Sequence, residues 1–129
     1  MPSNSDIPPP LHELEAEVME QLWRSGESSV RAVMEALNTD RPQDRAYTTY
    51  MTILARLHKK GVLERRRDGK TDYYTPVFDR DEYMNRRAAA EVASLVDQYG
   101  DAALSHFAQQ VAQLDPKRRR ALERLARDG

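Results

Sequence analysis

Between Thr48 and Lys70 the chain carries a set of side chains suited to a polyanion. Thr49, Thr52, Arg56 and Lys59 or Lys60 recur at intervals of three and four residues, which lines them up along one side of a helix. Arg65, Arg66, Arg67 and Lys70 follow, crowded around an Asp68-Gly69 step that predicts the tip of a β-hairpin. Short threonine side chains let a helix backbone approach base edges, arginine can bond guanine through two N–H groups, and lysine neutralises phosphate. Taken singly, the helix stripe is an ordinary solvated face and the basic strand an edge charged against aggregation. Their adjacency favours nucleic acid. The charge distribution agrees. The chain has a net charge of −1, yet residues 1–40 carry −6, residues 41–75 carry +5 and the remainder balances to zero.

Other chemistry finds little support. The 129 residues include no cysteine, which excludes disulfides, thiolate zinc sites, iron–sulfur clusters and cysteine nucleophiles. His12, His58 and His106 lie far apart without metal-ligand spacing, so no metal site is expected. Paired acids such as Asp81 and Glu82 suit a helix N-terminus better than acid–base catalysis. There is no phosphate loop, nucleotide fingerprint or nucleophile elbow, so neither an enzyme nor a cofactor is expected. No apolar run reaches the roughly 18–20 residues that cross a bilayer. The opening MPSNSDIPPP lacks a signal-peptide pattern, and a cytoplasmic protein is expected.

The elements that would hold these residues can be read from periodicity. Residues 1–10, with four prolines, read as a flexible arm. Leu11, Leu14, Val18 and Leu22, flanked by Met19 and Trp23, mark a first helix ended by Gly26. Ser28 or Ser29 caps a second, with Val30, Val33, Met34 and Leu37 on one face. After a loop containing Pro42, a third helix starts with Thr48 as N-cap and stops at Gly61, burying Tyr50, Ile53, Leu54 and Leu57. Residues 62–67 and 70–75 form the hairpin, which Pro76 ends. Three helices and a basic hairpin make a winged helix-turn-helix over residues 11–78.

Residues 79–129 read as helical. Asp79 opens a helix running to Tyr99, Asp101 opens the next, and Asp115-Pro116 a last one. Their apolar stripes are Val92, Leu95, Val96 and Tyr99, then Leu104, Phe107, Ala108 and Val111, then Leu122 and Leu125. Each is too thin to bury itself within one short helix, so the stripes must pack on each other or on a second copy. The expected class is mainly α with a small β wing, as a DNA-binding domain and a C-terminal helical domain.

The segments LHELEAEVMEQLW, SSVRAVMEAL, RAYTTYMTILARLHKKGVLERRRDGK and YYTPV resemble the penicillinase-repressor family (BlaI/MecI/CopY type). The third segment is the most specific, close to the family's recognition-helix signature; the C-terminal helices match only in general character. The resemblance implies a homodimeric repressor whose winged domain reads an operator dyad of TACA/TGTA type on double-stranded DNA. On this chain the implied contacts to bases and along helix three fall on Thr48, Thr49, Thr52 and Arg56, with Lys59, Lys60, Arg65 and Lys70 facing phosphate. The implied dimer face comprises Tyr83, Val92, Leu95, Val96, Tyr99, Leu104, Phe107, Val111, Leu122 and Leu125.

Two departures from the family pattern stand out. Asp72 occupies a wing position where relatives often carry an aromatic residue, which should weaken the wing's contact with DNA. His106-Phe107 stands where antibiotic-responsive members have an Asn-Phe bond that is cut on induction, so a sensor protease as partner is left open. The copper-responsive branch, which uses C-terminal cysteines, is excluded. Two other functions fit the same residues: a winged-helix regulator with a small effector between its domains, and a winged-helix module that docks proteins through helix three.

Overall fold

The computed structural model describes residues 7–128. The elements run in the order α1 (Glu13–Ser25), β1 (Ser28–Ser29), α2 (Val30–Asn38), α3 (Tyr47–Lys59), β2 (Leu63–Asp68), β3 (Thr71–Pro76), α4 (Arg80–Tyr99), α5 (Asp101–Ala112) and α6 (Pro116–Asp128). The class is mainly α with a small antiparallel sheet, as the periodicity predicts. The sheet order is β1-β3-β2. β1 is an addition to the sequence reading. It is only two residues long and pairs Ser28 with Tyr74 and Ser29 with Tyr73, tying the start of α2 to the wing.

Local chemistry explains most boundaries. The Glu15 carboxylate accepts the His12 N–H at 2.9 Å at the start of α1, and Gly26, at φ 79°, donates to the Leu22 carbonyl where that helix ends. Ser29 Oγ accepts from Ala32 N at 3.1 Å, which makes Ser29 the cap of α2. The start of α3 differs from expectation. Its N-cap is Ala46, without a side-chain cap, and Thr48 lies inside the helix. The reason is a clamp from α2. Asn38 Oδ1 accepts Arg45 N at 3.2 Å and the Tyr50 hydroxyl at 2.8 Å, while Asn38 Nδ2 donates to the Arg45 carbonyl at 3.0 Å. The chain entering α3 is therefore fixed by tertiary bonds, and no local cap is needed.

The hairpin turn sits one residue later than Asp68-Gly69. Asp68 pairs with Thr71, so Gly69 and Lys70 are the central residues, and Gly69 takes the positive φ of 62° that the first central position of a II′ turn requires.

Two compact units divide at Ala88 and Ala89. In the first, Val18, Met19 and Leu22 of α1, Val33 of α2, and Tyr50, Leu54 and Leu57 of α3 form the core with Val62, Leu63 and Tyr74. Tyr83 belongs here too, only 5% exposed, and not with the C-terminal stripes where the resemblance put it. Its ring lies 5.4 Å from that of Trp23, and its hydroxyl donates to the Pro9 carbonyl at 2.7 Å. Trp23 Nε1 donates to the Phe78 carbonyl at 2.9 Å. These contacts carry the first unit ten residues past the boundary expected at Phe78. They also change the reading of the arm. Pro8 is buried and its carbonyl accepts from Arg87 at 3.1 Å, so its end is docked, while the remainder of the expected arm, residues 1–6, lies outside the described residues.

The second unit holds the C-terminal part of α4 with α5 and α6. Asp115 Oδ1 accepts from Arg118 N at 2.8 Å and caps α6, whereas Gly100, not Asp101, is the cap position of α5. No described residue of this unit is buried. Val92, Leu95, Tyr99, Leu104, Phe107, Leu122 and Leu125 are exposed, and Val96 and Val111 are half-buried.

Candidate nucleic-acid interface

One face of α3 is consumed by the core: Tyr50, Leu54 and Leu57 have no exposed surface. A helix held by that face must present the opposite one. Thr48, Thr52, Arg56 and Lys59 lie there, all exposed. Thr49, also expected to contact DNA, is half-buried beside the core face.

Lys60 has a different occupation. Its Nζ donates to both carboxylate oxygens of Glu15, at 2.9 and 2.8 Å, and Glu15 is fully buried. Burial alone would push the Glu15 carboxyl up, but the bonds from Lys60 and the His12 N–H outweigh it and hold the carboxyl below its ordinary value. Lys60 is thus the counter-charge of a core carboxylate rather than a phosphate ligand, a correction to its expected role.

The wing sorts its basic residues by the two-residue period of a strand. Arg65 and Arg67 share the face of Leu63, and Arg66 takes the other. Arg66 donates to Glu27 at 2.9 and 3.2 Å and lies 4.8 Å from the centre of the Tyr73 ring. The Arg66 bonds hold the Glu27 carboxyl below its ordinary value and raise the guanidinium in return. Arg67 donates to the Gly69 carbonyl and stands 3.8 Å from Asp72, so Asp72 offsets part of the wing's charge. Arg65 and Lys70 are exposed and, among the described residues, make no ion pair. The same holds for Arg31, Arg56 and Lys59.

Between the start of α2, α3 and the wing runs a groove of about 540 Å³. Ser29, Arg31, Tyr47, Met51, Arg67 and Lys70 are among the residues that line it. Arg31, Tyr47 and Met51 escaped the sequence reading. The signal was present: Tyr47 and Met51 stand four residues apart on α3, outside the buried stripe. A cationic groove beside a helix with short polar residues can receive a phosphate backbone while the helix addresses base edges. Among the described residues no cluster of His, Asp and Glu could hold a metal ion, and no helix is long and apolar enough to cross a membrane.

Comparison with known proteins agrees with this architecture. The penicillinase repressor family model matches residues 11–128. The transcriptional regulator BlaI of Mycobacterium tuberculosis is 42% identical over 103 residues, covering 78% of this chain and 73% of that relative. The penicillinase repressor of Bacillus licheniformis is 30% identical over 76 residues, covering 59% of this chain and 58% of its own. The solution structure of the DNA-binding domain of the repressor BlaI matches with a TM-score of 0.51 at 30% identity, covering 59% of this chain and 90% of that one. The chain belongs to the penicillinase repressor family, a family of transcriptional repressors and not of enzymes.

Proposed function

We propose that this DNA-binding transcriptional repressor works as a homodimer that occupies an operator dyad of TACA/TGTA type and so blocks a promoter in the cytoplasm. The observation that carries the DNA reading is the outer face of α3, where Thr48, Thr52, Arg56 and Lys59 are exposed beside a cationic groove. Thr48, Thr52 and Arg56 address bases, with Thr49 at the edge of that face. Lys59, Arg65, Lys70 and Arg31 meet phosphates, which supply affinity and salt dependence without sequence information. The related structure of a repressor's DNA-binding domain supports the same use of the winged unit.

The dimer reading rests on residues 89–128. Val92, Leu95, Tyr99, Leu104, Phe107, Leu122 and Leu125 leave an apolar surface that one chain does not bury. Such surface marks an interface. A two-fold pair would present two copies of α3 to half-sites about one helical turn, or a multiple of it, apart. Sedimentation of the free chain and titration of a duplex carrying the dyad test the proposal together. A dimer in solution and two chains per dyad are expected. A monomer that binds one half-site as tightly as the full dyad would contradict it.

A further inference from the structure

Tyr47 and Met51 do not belong to the core. They are 43% and 44% exposed, one turn apart on α3, and both line the cationic groove with Arg31 and Lys70. Side chains four residues apart on a helix lie one above the other, so the two form a short apolar strip. Exposed Thr48 and Thr52 run beside it. The flanking charge decides what can cover such a strip. Arg31, Lys70, Arg56 and Lys59, none in an ion pair among the described residues, favour a polyanion over an apolar protein surface.

On a duplex, the major-groove edge of the bases offers one apolar group, the C5 methyl of thymine. We infer that Met51, with Tyr47 one turn before it, reads thymine methyl groups, so that part of the chain's sequence preference is an apolar contact rather than a hydrogen bond. The inference rests on the duplex-binding reading above and adds to it a base and an atom. Met51 suits the role because its unbranched thioether adapts to an irregular surface, and the short side chains of Thr48 and Thr52 leave room for a close approach. The flexible side chain keeps the contact modest, about three- to fivefold in affinity for each methyl covered, as expected for burying one such group.

Deoxyuracil lacks only that methyl and so isolates it. The probe is the tightest duplex recovered by the full chain from a randomised pool, remade with each thymine in turn replaced by deoxyuracil. The parent chain should lose about three- to fivefold at one or two thymines of a half-site and nothing at the others. Met51→Ala should bind the unmodified duplex as weakly as the parent binds the best deoxyuracil duplex, and should lose nothing more there. Met51→Gln, close in length and helix propensity, should behave alike, and both should keep the parent's salt slope. Tyr47→Ala should lose sensitivity at a neighbouring thymine. Indifference of the parent to every replacement, or Met51 variants that still lose the full factor, would overturn the methyl contact while leaving duplex binding intact. No affinity for any duplex would overturn both readings at once.

Discussion

Lys59 and Lys60 are adjacent and chemically identical, yet the structure gives them opposite consequences when truncated. Lys60→Ala removes two hydrogen bonds, 2.9 and 2.8 Å, from a carboxylate with no exposed surface, while the lysine side chain itself is 26% exposed. Removing one partner of a buried pair costs about 3–5 kcal/mol. Water reaching the Lys60 side of the pair and the remaining His12 N–H bond place this case near the lower end, at about 3 kcal/mol. For a first unit of this size that corresponds to a melting point lower by about 12–24 °C. The loss should shrink in acid. Without Lys60, burial dominates and raises the Glu15 carboxyl, so the variant is penalised for the charged form and recovers relative to the parent as that form disappears. Operator affinity per folded molecule and its salt slope should stay unchanged. Lys59→Ala should do the reverse, leaving the melting point alone and lowering the salt slope by about one. Thermal unfolding at pH 7 and pH 4, with duplex titration at several salt concentrations, measures all of this. A Lys60→Ala protein with a parental melting point and a reduced salt slope would refute the assignment of Lys60 to Glu15.

In the parent, Glu15 is held below its ordinary value of 4.5 in the folded state, so its contribution is complete above that value and disappears as pH falls through the lower folded one; Glu15→Gln should flatten that part of an acid-unfolding curve. Truncation after Ala88 should leave a folded winged unit, whereas truncation after Phe78 deletes Tyr83 and should cost at least the roughly 3–5 kcal/mol of losing a buried aromatic ring, read by urea denaturation. Arg56→Ala should cost about 1–3 kcal/mol on the operator and relax preference at one base pair; equal losses on operator and random DNA would reject a base contact. The His106–Phe107 bond lies within α5, so a protease must unwind helix to reach it, and His106 lacks the amide of an Asn-Phe site. Mass spectrometry of repressor from cells challenged with a cell-wall antibiotic should show the intact chain; a fragment ending at His106 only after challenge would reverse this.

The sequence made the winged unit readable because its signals are local. Tyr50, Ile53, Leu54 and Leu57 recur at helical spacing, and that spacing alone turns Thr52 and Arg56 outward. The parts that escaped depend on partners distant in the chain. Spacing cannot tell Lys59 from Lys60; the distinction lies in Glu15, 45 residues earlier. Thr48 looks like a cap because its residue type favours one, but the Asn38 clamp had already fixed the start of α3. β1 has two residues and therefore no periodicity, and only its pairing with Tyr73 and Tyr74 makes it a strand. Tyr83 sits in the first turns of a helix whose later stripe is exposed, and its burial follows from Trp23 and Pro9. Tyr47 and Met51 are apolar residues outside the buried stripe of α3, and helical periodicity assigns a role only to the stripe itself.

The most direct test of the account is the affinity of the full chain for a duplex carrying a TACA/TGTA dyad, measured against a shuffled duplex of equal composition across a range of salt. The outer face of α3 and the cations beside it that make no ion pair among the described residues predict a preference of at least about 10³ for the dyad, with log affinity falling steeply and linearly as log salt rises. Equal binding to both duplexes, or binding indifferent to salt, would contradict it.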